Sequence, residues 1–161
     1  CHQVFLASDA EEHGLLGARA FVASDVVAAK SIFVNLNLDM LSQPGGRKEV
    51  LVSGNLSHPA FNGLIEDIEL ASNMPMIATD EKRRVGRYPS LADRRKVSDH
   101  AAFAEQGIPF LFLGVGRHNY YHTPRDTASR VNQSFYGETV RIAWQYLQKL
   151  DALCAKADGQ P

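Results

Sequence analysis

Ile32-Phe33-Val34-Asn35-Leu36-Asn37-Leu38-Asp39-Met40 is the stretch that decides the fold, because an apolar run passes into strict alternation of polar and apolar residues. An apolar run that turns into period-two alternation is typical of a buried strand whose end has one polar face. Asn35, Asn37 and Asp39 lie on that face. The sequence therefore predicts a strand that carries polar groups to one edge of a sheet.

Strands and helices alternate on both sides of this stretch. Other apolar runs predict strands at residues 4–8, 49–52 and 109–114. Helical spacing and helix-start residues predict helices at residues 14–29, at 59–71, from Asp99 with Ser98 as its N-cap, and from a capping Ser134 towards the carboxyl terminus. Alternation of this kind predicts an α/β layered domain.

Two further segments carry predictions about exposure. In the last helix, a set of residues at three- and four-residue steps is expected to face the core: Val140, Ala143, Trp144, Leu147, Leu150 and Cys154. Residues 80–97 are charged and lack an apolar period, which predicts a solvated loop or, alternatively, a specificity loop beside a cleft.

Composition and charge restrict the class of protein. The 161 residues are 45% hydrophobic and 22% charged, as in one globular domain with a core of its own. A formal net charge of -1 argues against nucleic acid or an anionic membrane as a partner. The sequence has no uncharged apolar run long enough to span a membrane. Cys1 and Cys154 are either one disulfide or two unpaired thiols.

Glu11 and Glu12 stand side by side between an apolar run and a predicted helix. Acidic residues are common in first helical turns, where the helix dipole favours them, so the pair alone is compatible with a solvated helix start. Metal-assisted hydrolysis offers another interpretation, because adjacent carboxylates in a turn diverge. One can then bind a metal while the other reaches the water on that metal.

Asp39 and His122 share with this pair a position near the carboxyl end of a predicted strand, which is where open α/β sheets bind ligands. Taken singly, Asp39 is compatible with a turn after a strand and His122 with a surface loop. Together with the glutamates they make a mixed oxygen and nitrogen donor set, the type that zinc accepts in catalytic sites.

At this point the sequence resembles a known family, the co-catalytic zinc exopeptidases of the bacterial secreted aminopeptidase type, which includes aminopeptidases S and Y. Four segments carry the resemblance in the family's order: Phe5-Leu6-Ala7-Ser8-Asp9-Ala10-Glu11-Glu12-His13-Gly14-Leu15-Leu16-Gly17-Ala18-Arg19, Asn37-Leu38-Asp39-Met40, Ser98-Asp99-His100-Ala101-Ala102-Phe103 with Gly107-Ile108-Pro109, and Tyr121-His122-Thr123-Pro124-Arg125-Asp126-Thr127. The resemblance implies a three-layer α/β/α fold with a mixed, mostly parallel central sheet.

The resemblance also implies a role for each matching residue. Glu11 resembles the general base, and Tyr121 a tyrosine that helps to stabilise the oxyanion. Glu12 and His122 would bind one zinc and Asp39 the other, in a site that holds two zincs in the complete domain. Asp99 and Asp126 resemble carboxylates that orient such ligands. The implied substrate is a peptide cleaved at its amino end, and the family is mostly secreted or periplasmic.

One departure from the family limits these expectations. The family supplies a histidine in a His-X-Asp motif and a bridging aspartate before the paired glutamates, and this sequence contains no His-X-Asp. We therefore expect residues 1–161 to be the C-terminal part of a catalytic domain, with its N-terminal strands missing. Such a chain should bind zinc weakly or with one ion only, have little activity, and self-associate through an exposed sheet edge.

Three other functions stay open on the sequence alone. A carboxypeptidase and a glutaminyl cyclase belong to the same superfamily, and they differ from an aminopeptidase in which product they release. A degenerate binding module that has lost its metal is the alternative from another class. Retention of Glu11, Glu12, Asp39 and His122 argues against that alternative.

Overall fold

A single mixed sheet organises the chain in the computed structural model, which describes residues 1–55, 57–78, 98–157 and 159. Its strands are β1 (Asn35–Leu38), β2 (Val50–Ser53), β3 (Met76–Ala78) and β4 (Phe110–Gly114). They lie in the order β1-β4-β2-β3. The pairs β1–β4 and β2–β3 are parallel, and β2–β4 is antiparallel. The prediction of a mixed, mostly parallel sheet is confirmed.

Helices flank the sheet on both faces. The described helices are α1 (Leu16–Val22), α2 (Asn62–Ala71), α3 (His100–Ala104) and α4 (Gln133–Ala157). Short 3-10 turns occupy Glu11–His13, Ala29–Ser31, Pro59–Phe61 and Ala128–Arg130. The turn that starts at Pro59 runs directly into α2, as expected for a proline with its backbone angle already set for a helix.

The alternation of side chains along β4 separates the two cores. Leu111 and Leu113 belong to the larger core, which includes residues of β2, α2 and α4. Phe110 and Phe112 contact the buried His100 ring of α3 instead, with ring centroids 4.7 and 4.9 Å away. A smaller core joins α1 to α3. The layers are therefore helix, sheet and helix, and the three-layer α/β/α prediction is confirmed.

The strand predicted at residues 4–8 is wrong, because this segment has no regular secondary structure. Phe5 is 82% exposed, and Val4 and Leu6 are also exposed. A strand needs a neighbour to accept and donate its backbone hydrogen bonds. Among the described residues, no strand pairs with this segment. An apolar run shows that a strand can form but does not show what it pairs with.

Helix boundaries differ from the prediction where side chains compete for the backbone. The helix predicted at residues 14–29 ends as α1 at Val22, and the Ser24 hydroxyl donates to the Phe21 carbonyl at 2.7 Å. Serine hydroxyls offer the backbone an alternative to helical hydrogen bonds. Ser98 is not the cap of α3, because its hydroxyl accepts a hydrogen bond from Asn37 Nδ2 at 3.0 Å.

The start and the exposed face of α4 also correct the sequence prediction. Asn132, not Ser134, caps the helix, since its Oδ1 accepts from the Phe135 N–H at 3.0 Å. Val140 and Trp144 are exposed, whereas Leu150 is buried as predicted; the other buried residues of α4 are Phe135, Thr139, Ile142 and Tyr146. Two apolar stripes share the same helical spacing, and spacing alone does not select the one that meets the sheet.

One strand of the sheet has no counterpart in the sequence prediction. The short strand β3 was not predicted, because three residues are too few for a periodic signal. The charged stretch at residues 80–97 lies outside the described residues. No helix in the described part of the chain has both the length and the apolar character needed to cross a bilayer.

A disulfide joins Cys1 to Cys154 and resolves the alternative left open by the sequence. The Cα atoms of the two cysteines are 6.1 Å apart, and the bond connects positions separated by 153 residues. The backbone nitrogen of Cys1 also lies 3.5 Å from Asp151 Oδ1, one turn earlier on α4. The first residue of the chain is thereby fixed to the last helix.

Gly54 provides a test of the β2–β4 packing. Its φ of 113° disfavours any residue with a side chain, and an added Cβ would lie 2.1 Å from the Phe110 carbonyl oxygen. We expect Gly54→Ala to lower the free energy of unfolding by at least about 3 kcal/mol in urea denaturation. The matched control is Gly137→Ala in α4, where an added Cβ has open space. It should be neutral or stabilise the chain by about 0.5–1 kcal/mol. Equal stability of the two variants would contradict the packing described.

The disulfide gives a second test of stability. Replacing both Cys1 and Cys154 with serine should lower the free energy of unfolding by about 2–5 kcal/mol, because the unfolded chain is no longer closed into a loop. Reducing agent should lower the melting temperature of the parent chain and leave that of the double-serine variant unchanged. A parent chain indifferent to reductant would rule out the bond.

Candidate metal centre

Parallel pairing places the polar ends of β1 and β4 at the same edge of the sheet. Leu38 pairs with Leu113, and the Asp39 N–H continues the ladder by donating to the Leu113 carbonyl at 3.1 Å. Asp39 therefore stands at the point where β1 leaves the sheet. The loop that follows β4 starts beside it and carries Tyr121 and His122. This edge is where α/β sheets bind their ligands.

Glu11 and Glu12 lie in a tight turn before α1. The Glu11 carbonyl accepts hydrogen bonds from the N–H groups of Gly14 and Leu15, at 3.1 and 2.9 Å. Ala10 and Leu15 have φ values of 51° and 63°, in the left-handed region that residues with side chains rarely occupy. Left-handed backbone on both sides of this glutamate pair indicates that the surrounding contacts determine its geometry.

Glu12 and His122 meet directly. His122 Nε2 lies 2.5 Å from Glu12 Oε1, and the two side chains are 52% and 64% exposed. Tyr121 stacks on the His122 ring with a centroid distance of 3.7 Å and an interplanar angle of 19°. His122 itself has a φ of 55°. The stacked ring and the backbone together hold the imidazole against the glutamate.

Glu11 lies within electrostatic range of the other acidic candidates. Its pKa is raised above the ordinary value of 4.5, first by burial and then by the negative charges of Glu12, Asp39 and Asp99. The imidazole of His122 acts in the opposite direction. A carboxylate with a raised pKa accepts a proton more readily, which suits a general base.

Tyr121 keeps its proton at neutral pH. Burial raises the pKa of its phenol, and the charge of Glu12 raises it further, while Arg117 lowers it. The Arg117 guanidinium carbon lies 5.3 Å from the centre of the tyrosine ring. The protonated hydroxyl is a hydrogen-bond donor beside the Glu12–His122 pair.

Asp99 lies at the start of α3 and binds the segment before the glutamate turn. The Ser8 hydroxyl donates a hydrogen bond to Asp99 Oδ2. The other carboxylate oxygen, Oδ1, is buried and has no hydrogen-bond partner among the described residues. Nothing in the sequence distinguishes Ser8, since a serine in a short apolar segment carries no specific signal.

Asp126 does not contact His122 or the glutamates. It accepts a hydrogen bond from Gln43 Nε2 at 2.9 Å, and its second oxygen lies 3.6 Å from His118 Nε2. Neither Gln43 nor His118 was identified from the sequence. Gln43 lies in a turn cluster and His118 in a loop without a motif, so their proximity to Asp126 arises only in the fold.

The donor set is suited to zinc, although the side chains do not surround a metal position. Among the described residues, no group of three or more His, Cys, Asp or Glu side chains converges as a metal ion would require. The Glu12–His122 contact supplies one carboxylate and one imidazole, and Asp39 lies within electrostatic range of Glu11. Carboxylate oxygen and imidazole nitrogen are ligands that zinc accepts.

Comparison with known proteins identifies the family. The profile described as peptidase family M28 matches residues 3–147. The chain therefore belongs to peptidase family M28. A search of curated proteins found no match.

Solved structures of bacterial aminopeptidases share the fold. The chain is 22% identical to the LapA aminopeptidase of Legionella pneumophila, with a TM-score of 0.65, and the match covers 88% of this chain and 37% of that one. It is 21% identical to BSAP, a zinc aminopeptidase from Bacillus subtilis, with a TM-score of 0.63, and the match covers 89% of this chain and 34% of that one. It is 22% identical to an aminopeptidase from Aneurinibacillus sp. strain AM-1, with a TM-score of 0.58, and the match covers 88% of this chain and 31% of that one. The chain thus spans about a third of the length of these structures.

The raised pKa of Glu11 predicts a pH-dependent stability in the metal-free chain. A carboxyl whose pKa is higher in the folded state stabilises the fold when protonated, and that contribution is lost as the pH rises through the folded-state pKa. Glu11→Gln cannot ionise, so it should melt at a higher temperature than the parent at pH 7. The gain should be small because the side chain is only partly buried, and it should vanish at pH 3.5. Thermal unfolding in the presence of a chelator measures both differences.

The control for this comparison is Glu66→Gln, which changes an exposed glutamate of α2 outside the cluster. Its melting temperature should follow the parent chain at both pH values. A Glu11→Gln variant less stable than the parent at pH 7 would contradict the electrostatic account.

Proposed function

We propose that this chain carries zinc ligands and the general base of a zinc aminopeptidase, which hydrolyses the first peptide bond of its substrate. The observation that carries the proposal is the Glu12–His122 contact, with Glu11 in the same turn. Membership of peptidase family M28 supports hydrolysis of peptides. The similarity to structures described as aminopeptidases supports the amino end as the point of attack.

In this proposal, Glu12 and His122 would hold one zinc ion and Asp39 would hold a second. Zinc, when bound, lowers the pKa of a water molecule and polarises the carbonyl of the bond to be cleaved. The clustered negative charge of Glu11, Glu12, Asp39 and Asp99 favours a cation at this edge of the sheet. Asp99 contributes its negative charge from the start of α3, and the Ser8 hydroxyl donates a hydrogen bond to one of its carboxylate oxygens.

Glu11 moves the proton. Its carboxylate takes a proton from the attacking water as the carbon–oxygen bond forms, and returns a proton to the departing amine as the carbon–nitrogen bond breaks. Raised pKa makes this carboxylate a better proton acceptor. Tyr121 keeps its hydroxyl proton and donates a hydrogen bond to the oxyanion that develops on the carbonyl oxygen.

The extent of the chain sets an expectation for its own behaviour. Residues 1–161 contain no His-X-Asp sequence, and the chain spans about a third of the aminopeptidases of similar fold. We therefore propose that the chain alone binds zinc weakly and turns over slowly. Among the described strands, β1 is the outermost on its side of the sheet and its Leu38 is exposed, which supports self-association through that strand.

An oxidising compartment suits the chain. Structural disulfides form and persist mainly in secreted and periplasmic proteins. The Cys1–Cys154 bond supports secretion or a periplasmic location.

Two substitutions separate the proposed base from the proposed ligands. Glu11→Gln should reduce hydrolysis of an aminoacyl p-nitroanilide by at least about 100-fold, because a general base contributes on the order of 10²–10⁴ in rate. Its zinc affinity should fall less than that of His122→Ala, because Glu11 contributes charge but is not a ligand in this proposal. His122→Ala should instead weaken zinc binding, measured by competition with a chelator. Glu66→Gln on α2 is the matched control and should affect neither.

Product analysis on a short peptide tests the direction of attack. Release of the first residue supports the proposal, whereas release of the last residue or ring closure at an amino-terminal glutamine contradicts it. Absence of zinc binding by the parent chain at any concentration up to millimolar would favour a binding module without metal.

A further inference from the structure

Gln43, Asp126 and His118 form a polar bridge between two loops at the metal edge of the sheet. We call residues 39–46 the β1 loop and residues 115–127 the β4 loop. Gln43 is 9% exposed, and its amide donates to Asp126 Oδ1 at 2.9 Å. His118 Nε2 faces Asp126 Oδ2 at 3.6 Å. One carboxylate therefore contacts the β1 loop through one oxygen and a residue of its own loop through the other.

The β4 loop is folded around His118. The Tyr120 N–H donates to His118 Nδ1 at 3.3 Å, and the Tyr121 N–H donates to the His118 carbonyl at 3.2 Å. The Thr123 N–H then bonds to the Tyr120 carbonyl, and the Asp126 N–H to the Thr123 carbonyl, both at 3.0 Å. Tyr121 and His122 therefore lie in the part of the loop that the His118–Asp126 contact closes. Holding that contact fixes the loop that presents His122.

The β1 loop is a firm anchor for the bridge. The Leu41 carbonyl accepts a hydrogen bond from the Thr139 hydroxyl at 3.0 Å. The Ser42 carbonyl accepts one from the Asn132 N–H, also at 3.0 Å. These two bonds attach the β1 loop to α4 and to its N-cap residue. Gly45 also lies against the β4 loop, since an added Cβ would be 2.6 Å from the Gly116 carbonyl oxygen. The two loops thus approach each other through backbone contact as well as through the bridge.

The backbone of both loops requires such restraint. Met40, directly after Asp39, has a φ of 59°, and His122 has a φ of 55°. Left-handed conformations at residues with side chains cost free energy and persist where neighbouring contacts impose them. The bridge joins the β1 loop, which contains Met40, to the β4 loop, which contains His122.

We propose that Gln43 and His118 are positioning residues that act through Asp126 to hold Asp39 and His122 in fixed relation. Neither residue touches the substrate or the reacting atoms in this scheme. The inference rests on the proposed function in treating Asp39 and His122 as zinc ligands. Residues that orient metal ligands typically change metal affinity by about 10- to 100-fold when removed.

Four variants of the chain test the bridge. Gln43→Ala removes the donor to Asp126, and His118→Ala removes the second partner. His118→Gln restores an amide donor towards Asp126 and serves as the conservative rescue. Gln148→Ala on α4 removes an exposed glutamine far from the bridge in sequence and is the matched control for Gln43→Ala.

Amide hydrogen exchange of the metal-free chain gives a readout that needs no zinc. Loss of the Gln43–Asp126 hydrogen bond, or of the His118–Asp126 contact, should accelerate exchange at Thr123 and Asp126 by about 5- to 10-fold in Gln43→Ala and His118→Ala. The amides in the middle of α4 should exchange as in the parent, and so should the whole chain in Gln148→Ala. Zinc dissociation constants, measured by chelator competition, should rise by about 10-fold or more in the two alanine variants and return towards the parent value in His118→Gln.

The outcomes separate this inference from the proposed function. Faster exchange confined to the β4 loop together with weaker zinc binding supports both. Faster exchange in the alanine variants, together with a parent chain that binds no zinc, supports the bridge and overturns the proposed function. Zinc binding that is equal in parent and alanine variants, or exchange that rises equally in α4, overturns the bridge and leaves the proposed function standing.

Discussion

The parallel pairing of β1 with β4 is the constraint on which the site depends. Because the two strands run in the same direction, both leave the sheet at one edge, and the loops that follow them start side by side. Asp39 comes from one loop and His122 from the other. The glutamate turn before α1 joins them there, and α1 packs on α3 in the smaller core. A strand reversal at β4 would place the two loops at opposite edges of the sheet.

Charge and backbone conformation at this edge are both unfavourable when considered alone. Several carboxylates lie close enough to raise the pKa of Glu11, and left-handed residues adjoin or include the candidate ligands: Ala10, Leu15, Met40 and His122. Like charges repel, and such backbone conformations occur where contacts elsewhere over-determine them. In the proposed function, a bound cation would offset this repulsion.

The sequence was sufficient for the parts of the fold that depend on local pattern. Apolar runs identified β1, β2 and β4, and Pro59 marked the approach to α2. Segments that depend on a distant partner were missed or wrong: residues 4–8 have the pattern of a strand but no neighbour, and β3 is too short to have a pattern. At the site, the ordered motifs pointed to Glu11, Glu12, Asp39 and His122. Gln43 and His118 have significance only because folding brings them to Asp126, which no spacing rule indicates.

The link between Cys1 and Cys154 has a topological consequence. Residues 1–154 are closed into a single covalent ring, because the bond joins positions separated by 153 residues. A single cut in any peptide bond of that ring opens it without producing two separate molecules. A protease working in the same surroundings would therefore need a second cut, or a reductant, before any part of the sheet could diffuse away.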